Sequence, residues 1–165
     1  MTAASSIQIR RPIWSTIVML SVSFWLGGSL ILDWVIMPSL YVSGMMTQAG
    51  FATAGYLIFW NFNRIELLSA ALVVTGVLVL GTQTSATKHR SAIVLSVLLL
   101  AISLAETYFL TPQMCATGLD LNLFESGGEI PATMNQLHAG YWVMEILKFV
   151  AGGTVLGWCF KQRSI

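Results

Sequence analysis

The chain has 165 residues, 56% of them hydrophobic and 9% charged, with a mean hydropathy of +0.77 and a net charge of +1. Soluble domains carry about 25% charged residues, so this composition excludes an ordinary water-soluble enzyme and makes the lipid bilayer the expected partner. The few Lys and Arg flank apolar stretches instead of forming a patch, which excludes nucleic acid.

Four stretches reach the roughly 20 residues a helix needs to cross a hydrocarbon core: residues 13–37, 63–84, 92–111 and 131–160. They predict an all-α fold, a single transmembrane domain over residues 1–165 built as an antiparallel four-helix bundle. Arg10 and Arg11 precede the first stretch, as in a secretory signal, but its apolar run is too long and no small-residue cleavage motif follows. It reads as a retained helix. Gly27-Gly28-Ser29 in the first helix, and Gly152-Gly153 with Gly157 in the fourth, are small residues of the kind that let membrane helices approach closely.

Between helices one and two, residues 38–62 are uncharged and hold Phe51, Tyr56, Leu57, Phe59 and Trp60. Rings with a polar edge favour the membrane–water boundary, so a short interfacial helix is expected there. Asn63 and Glu66 have the spacing of an N-cap pair, which starts helix two at that point. The connection 84–91 is short and basic. The connection 112–130 contains Gly118, Gly127 and Gly128 and is expected to be irregular, and Pro131 suits the first turn of helix four.

Charge sets the orientation. Arg10, Arg11, Lys88, Arg90, Lys161 and Arg163 fall on one side, whereas the opposite connections carry Asp120, Glu125 and Glu129 and no base. The positive-inside rule places both termini in the cytoplasm, with a bacterial inner membrane as the default and thylakoid or eukaryotic membranes as alternatives. Cys115 and Cys159 then lie on opposite sides and cannot pair, which leaves the redox compartment open.

Each helix carries one acid: Asp33 late in the first, Glu66 early in the second, Glu106 late in the third, Glu145 early in the fourth. In helices of alternating direction these positions fall toward one leaflet. Glu66 reads as a helix start paired with nearby Arg64, and Asp33 and Glu106 as lying about one turn from the outer helix ends. Glu145 is deeper. With His138, Tyr141 and Lys148 it occupies positions i, i+3, i+7 and i+10, a stripe within about 80° of arc. Lipid rejects such a stripe, so it is expected to face the other helices. Ionisable groups inside membranes are functional candidates by default, and Asp33, Arg64, Glu66, Glu106, His138, Tyr141, Glu145 and Lys148 form the candidate polar cluster.

Metal and pigment chemistry have thinner support. Met37, Met45, Met46, Met114, Cys115, Met134, His138 and Met144 fall in the outer half, and thioether, thiolate and imidazole suit copper. Met45, Met46, Met114, Cys115, Met134 and His138 are the candidate ligands, although none forms a tight motif. Haem or chlorophyll would need His138 with a second ligand, because His89 is expected in the cytoplasmic connection. The sequence contains no P-loop, nucleophile elbow, H-E-x-x-H or C-x-x-C, so no enzyme is expected.

Several stretches together resemble a four-span membrane family known as domain of unknown function 4149, related to transmembrane protein 205. The matching stretches are Trp25-Leu26-Gly27-Gly28, Val35-Ile36-Met37-Pro38-Ser39-Leu40, Ala49-Gly50, Phe62-Asn63-Arg64-Ile65-Glu66-Leu67, Leu110-Thr111-Pro112 and Leu137-His138-Ala139-Gly140-Tyr141. Their order and spacing cover nearly the whole chain. The resemblance implies a four-span fold with no established activity and makes Pro38, Arg64, Glu66, Pro112 and His138 motif positions. Asp33, Glu145 and Lys148 stand outside it. The expected function is an accessory or assembly subunit of a membrane complex. The alternative is ion, proton or metal handling by the polar cluster; a thin four-helix wall would then favour a homo-oligomer. A haem- or pigment-binding redox protein ranks below both.

Overall fold

The structure is a computed structural model that describes residues 3–45, 48, 50–80, 86–124 and 132–163. Helices account for almost all of these residues and no strand occurs among them. Helix α1 (Ala3–Ile31) passes through a π-helical turn, Leu32–Ile36, into α2 (Met37–Val42). Helix α3 is Phe51–Leu80. Helix α4 (Ala86–Ala105) likewise passes through a π-helical turn, Glu106–Leu110, into α5 (Thr111–Phe124). Helix α6 is Ala132–Arg163. Four helices are long and apolar enough to cross a membrane: Ile13–Val42, Phe51–Leu80, Lys88–Gly118 and Ala132–Lys161.

These helices outrun the expected spans at the acid-bearing end, which corrects three expectations. No separate interfacial helix follows helix one, because Phe51 through Trp60 form the opening turns of α3. Glu66 is no helix start, since about four turns of α3 precede it. The connection after residue 111 is helical through Phe124 rather than irregular. The backbone hydrogen bonds of these outer turns are satisfied within the helix wherever the bilayer ends. On the basic side α4 already begins at Ala86, so His89 is helical. Pro131, Gly127 and Gly128 lie outside the described residues.

The two π turns share a cause. Pro38 and Pro112 lack an N–H, and their rings crowd the carbonyl four residues back. The chain responds by widening one turn ahead of each proline: the Met37 N–H bonds the Leu32 carbonyl, and the Thr111 N–H bonds the Glu106 carbonyl. Such single wide turns re-aim side chains and recur at functional sites. Here they hold Asp33 and Glu106.

Packing follows spacings of three and four residues, the seam of a helix bundle. On α1 the buried positions include Val18, Val22, Trp25 and Ser29, continued by Leu32 in the π turn; on α3 they are Asn63, Glu66, Ala70, Val73 and Val77, joined by Ser69 and Gly76. Val18 lies against Gly76, Phe62 against Gly28, and Leu26 against Gly152. The seam has two layers. One is apolar, with Val18, Val22, Trp25, Val73, Leu99 and Val155. The other holds Ser29, Asp33, Asn63, Glu66, Glu106 and Lys148, so that buried polar residues are nearly as numerous as buried apolar ones. The outer surface carries Leu20, Phe24, Leu68, Phe109, Ile146 and Val150 in exposed positions. An apolar exterior around a polar seam suits lipid contact and is the reverse of a water-soluble bundle.

Candidate functional site

Four acids and one base converge in the polar layer, each from a seam position where a water-soluble bundle would place leucine. Glu66, Glu106, Glu145 and Lys148 are all at most 2% exposed, and Asp33 is 3% exposed. Lys148 stands at the centre. Its Nζ donates to Glu66 Oε1 at 2.6 Å and to Glu145 Oε1 one turn earlier on α6, and lies 3.7 Å from Glu106 Oε2. One ammonium thus meets carboxylates from α3, α6 and the π turn after α4.

Two groups on α1 complete the Glu66 environment. Trp25 Nε1–H donates to Glu66 Oε1 at 2.7 Å, and the Ser29 hydroxyl donates to the same oxygen at 3.1 Å. Sequence reasoning placed Ser29 only as packing and gave Trp25 no polar role. The available signal was their spacing of four residues, with Asp33 four further on, which puts all three on one face. Hydrogen bonds to a buried charged group contribute roughly 1.5–3 kcal/mol, so Trp25→Phe is expected to destabilise the protein by that order. Detergent-denaturation midpoints of the two proteins measure it; an unchanged midpoint would show that Glu66 does not depend on the indole.

Asp33 is engaged from α6, where the Tyr141 hydroxyl donates to Asp33 Oδ1 at 2.6 Å. The Tyr141 ring meets Phe59 edge-on at 5.9 Å and adjoins Trp142, which in turn meets Trp34. These rings form an aromatic collar beside the carboxylates. Asn63, which sequence spacing assigned to a cap, instead donates from Nδ2 to Thr111 Oγ1 at 2.8 Å and ties α3 to α5.

The unpartnered atoms are as informative as the paired ones. Asp33 Oδ2, both oxygens of Glu106 and Glu145 Oε2 are buried without a hydrogen-bond donor. Ionised carboxylates offer only acceptors, so two of them bond to one another only when a proton or cation lies between. Glu66, Glu106 and Glu145 present ligand oxygens within 4.8 Å of one another. If all four acids are ionised, Lys148 balances one of them and three negative charges remain.

The remaining candidates fall outside this cluster. Arg64 is exposed and does not pair with Glu66; its guanidinium lies over the Trp60 ring, 3.5 Å from the centroid. The reason is position: residue 64 falls between the seam residues Asn63 and Glu66, about 100° round the helix from the first of them and on the outer face. His138 is also exposed, and its Nδ1–H bonds the Met134 carbonyl of its own helix at 2.9 Å. The buried part of the stripe therefore begins at Tyr141. Asp33 and Glu106 are not near helix ends, since both helices continue past them as α2 and α5. Met45 is exposed, Met114 and Met134 are half-buried, and Cys115 is a half-buried free thiol. Met46 lies outside the described residues. Among the described residues, the cluster of His, Cys, Asp and Glu that meets a metal-sized spacing is the three glutamates, an oxygen set that does not suit the soft Cu(I) that thioether and thiolate ligands select.

Fold and site together define a class, an integral membrane protein of four long apolar helices around an ionisable interior. Comparison with protein-family models, curated proteins and solved structures yields no match to this chain.

Proposed function

We propose that this protein exchanges protons or cations at the intramembrane centre formed by Asp33, Glu66, Glu106, Glu145 and Lys148. The observation that carries this is the charge balance of a buried interior. Each ionised acid costs about 2.5–3.5 kcal/mol within a bilayer, and Lys148 can offset only part of four. The oxygens of Glu106 are buried without a hydrogen bond and have only the shared Lys148 ammonium, at 3.7 Å, as a positive partner, which supports a role for an exchangeable one. In the assembly-subunit reading the network only fixes helix register. A network kept for register alone is expected to satisfy its members, and Glu106 weighs against that.

The same proposal takes the bundle as antiparallel. Val18 facing Gly76 while Gly28 faces Phe62 supports opposite directions for α1 and α3, and the Lys/Arg asymmetry supports cytoplasmic termini in a bacterial inner membrane. Membership of the family that the motifs resemble is part of this reading.

Vesicles containing the purified protein and a trapped pH dye test the proposal. After an external acid step, wild-type vesicles are expected to acidify several-fold faster than vesicles carrying Glu106→Gln. Wild-type vesicles no faster than protein-free ones, or a Glu106→Gln rate equal to wild type, would overturn it.

A further inference from the structure

Lys148 stands where a bound metal ion would sit. Its ammonium lies among oxygens of Glu66, Glu106 and Glu145, which are supplied by three different helical segments and lie within 4.8 Å of one another. A hard divalent ion such as calcium holds carboxylate oxygens at about 2.3–2.6 Å, so ligands on its opposite sides stand roughly 5 Å apart. The glutamate spacing fits that ion. A second observation points to a ligand: Glu106 is 1% exposed, neither of its oxygens has a hydrogen-bond partner, and Lys148 reaches it only at 3.7 Å.

We propose that Glu66, Glu106 and Glu145 form a binding site for a hard divalent cation, and that the Lys148 ammonium is the resident counter-ion such a cation displaces. This rests on the preceding reading, because it requires the cluster to exchange its positive partners. Three carboxylates and one ammonium carry two negative charges, which a divalent ion balances. The donors are all carboxylate oxygens, the set that suits magnesium, calcium or manganese. Asp33 is left aside, being held by Tyr141.

The ammonium already has a second neighbour that would retain it. Trp25 presents its ring to Lys148 Nζ at 5.9 Å from the centroid, within the range of about 6 Å over which a cation is attracted to an aromatic face. The four-carbon lysine stem is flexible enough for a short retreat. Trp25 would then play both parts, holding Glu66 through its N–H and receiving the ammonium on its face. Lys148 remains protonated throughout, so the exchange moves charge and position and transfers no proton from the lysine.

Mn2+ titration of the purified full chain in detergent, followed by the spin-resonance signal of free Mn2+, tests this. Wild type is expected to bind one ion per chain, displaceable by Ca2+. Glu106→Gln should weaken binding by at least about tenfold, and Lys148→Gln should tighten it by a similar factor. A folded wild type that binds no Mn2+ overturns the proposal, as does a folded Lys148→Gln with unchanged affinity. Should Lys148→Gln fail to fold, Lys148→Arg serves, since a bulkier fixed cation should weaken binding; an unchanged affinity again overturns it. The vesicle assay separates the two readings. Glu106-dependent proton entry without Mn2+ binding removes the divalent site alone, whereas loss of both removes the exchange centre as well.

Discussion

Lys148→Met is expected to cost the folded bundle about 3–5 kcal/mol, the usual penalty for removing one partner of a buried ion pair. Methionine occupies much of the lysine stem volume, so the loss reports charge rather than a cavity. The effect is large because Lys148 is fully buried and faces three acids. Reversible unfolding in mixed micelles titrated with a denaturing detergent measures it. Adding Glu66→Gln should recover part of the deficit, since it removes one of the carboxylates left uncompensated. The deficit should also shrink as pH falls, because protons then supply the counter-charge that the lysine no longer provides. A variant as stable as wild type at neutral pH would show that something other than Lys148 balances the acids.

Gly76→Leu is expected to have the next largest effect. A Cβ at this position falls far inside van der Waals contact with Val18 Cγ2 and lies 3.7 Å from Trp14. Val18 cannot yield easily, because it is fully buried and its branched side chain has essentially one helical rotamer. Helices α1 and α3 must separate, at a cost of about 1–3 kcal/mol for overpacking. The same seam brings Trp25 and Ser29 to Glu66, so the damage should reach the charged layer. Val18→Ala combined with Gly76→Leu should restore much of the stability. Failure of that double variant to recover would mean that the helices meet elsewhere.

Much of the site was legible in the sequence and some of it misleadingly so. One acid per helix, in late–early–late–early order, does bring Asp33, Glu66, Glu106 and Glu145 into a common layer, and Tyr141 and Lys148 join them from α6. The assignments that failed were local ones. Asn63 and Glu66 were matched to a cap, yet they are seam residues of a helix already four turns old. Arg64 and Glu66, two residues apart, point to different sides of a helix and cannot share its face. His138 lies on the i, i+3 line but faces outward. Trp25 stands in the sequence only as part of a motif stretch, and its distance of 2.7 Å from Glu66 reveals its polar role.

The sequence by itself determined the number of long apolar helices and the presence of acids that lipid would not accept. Both follow from transfer free energies, which depend on residue type and segment length alone. Tertiary structure alone decided which acid meets which base. Those contacts depend on helix rotation, on the wide turns that Pro38 and Pro112 impose beside Asp33 and Glu106, and on how closely Gly76 lets α1 approach α3. Such quantities arise between segments, so no reading of one helix at a time contains them.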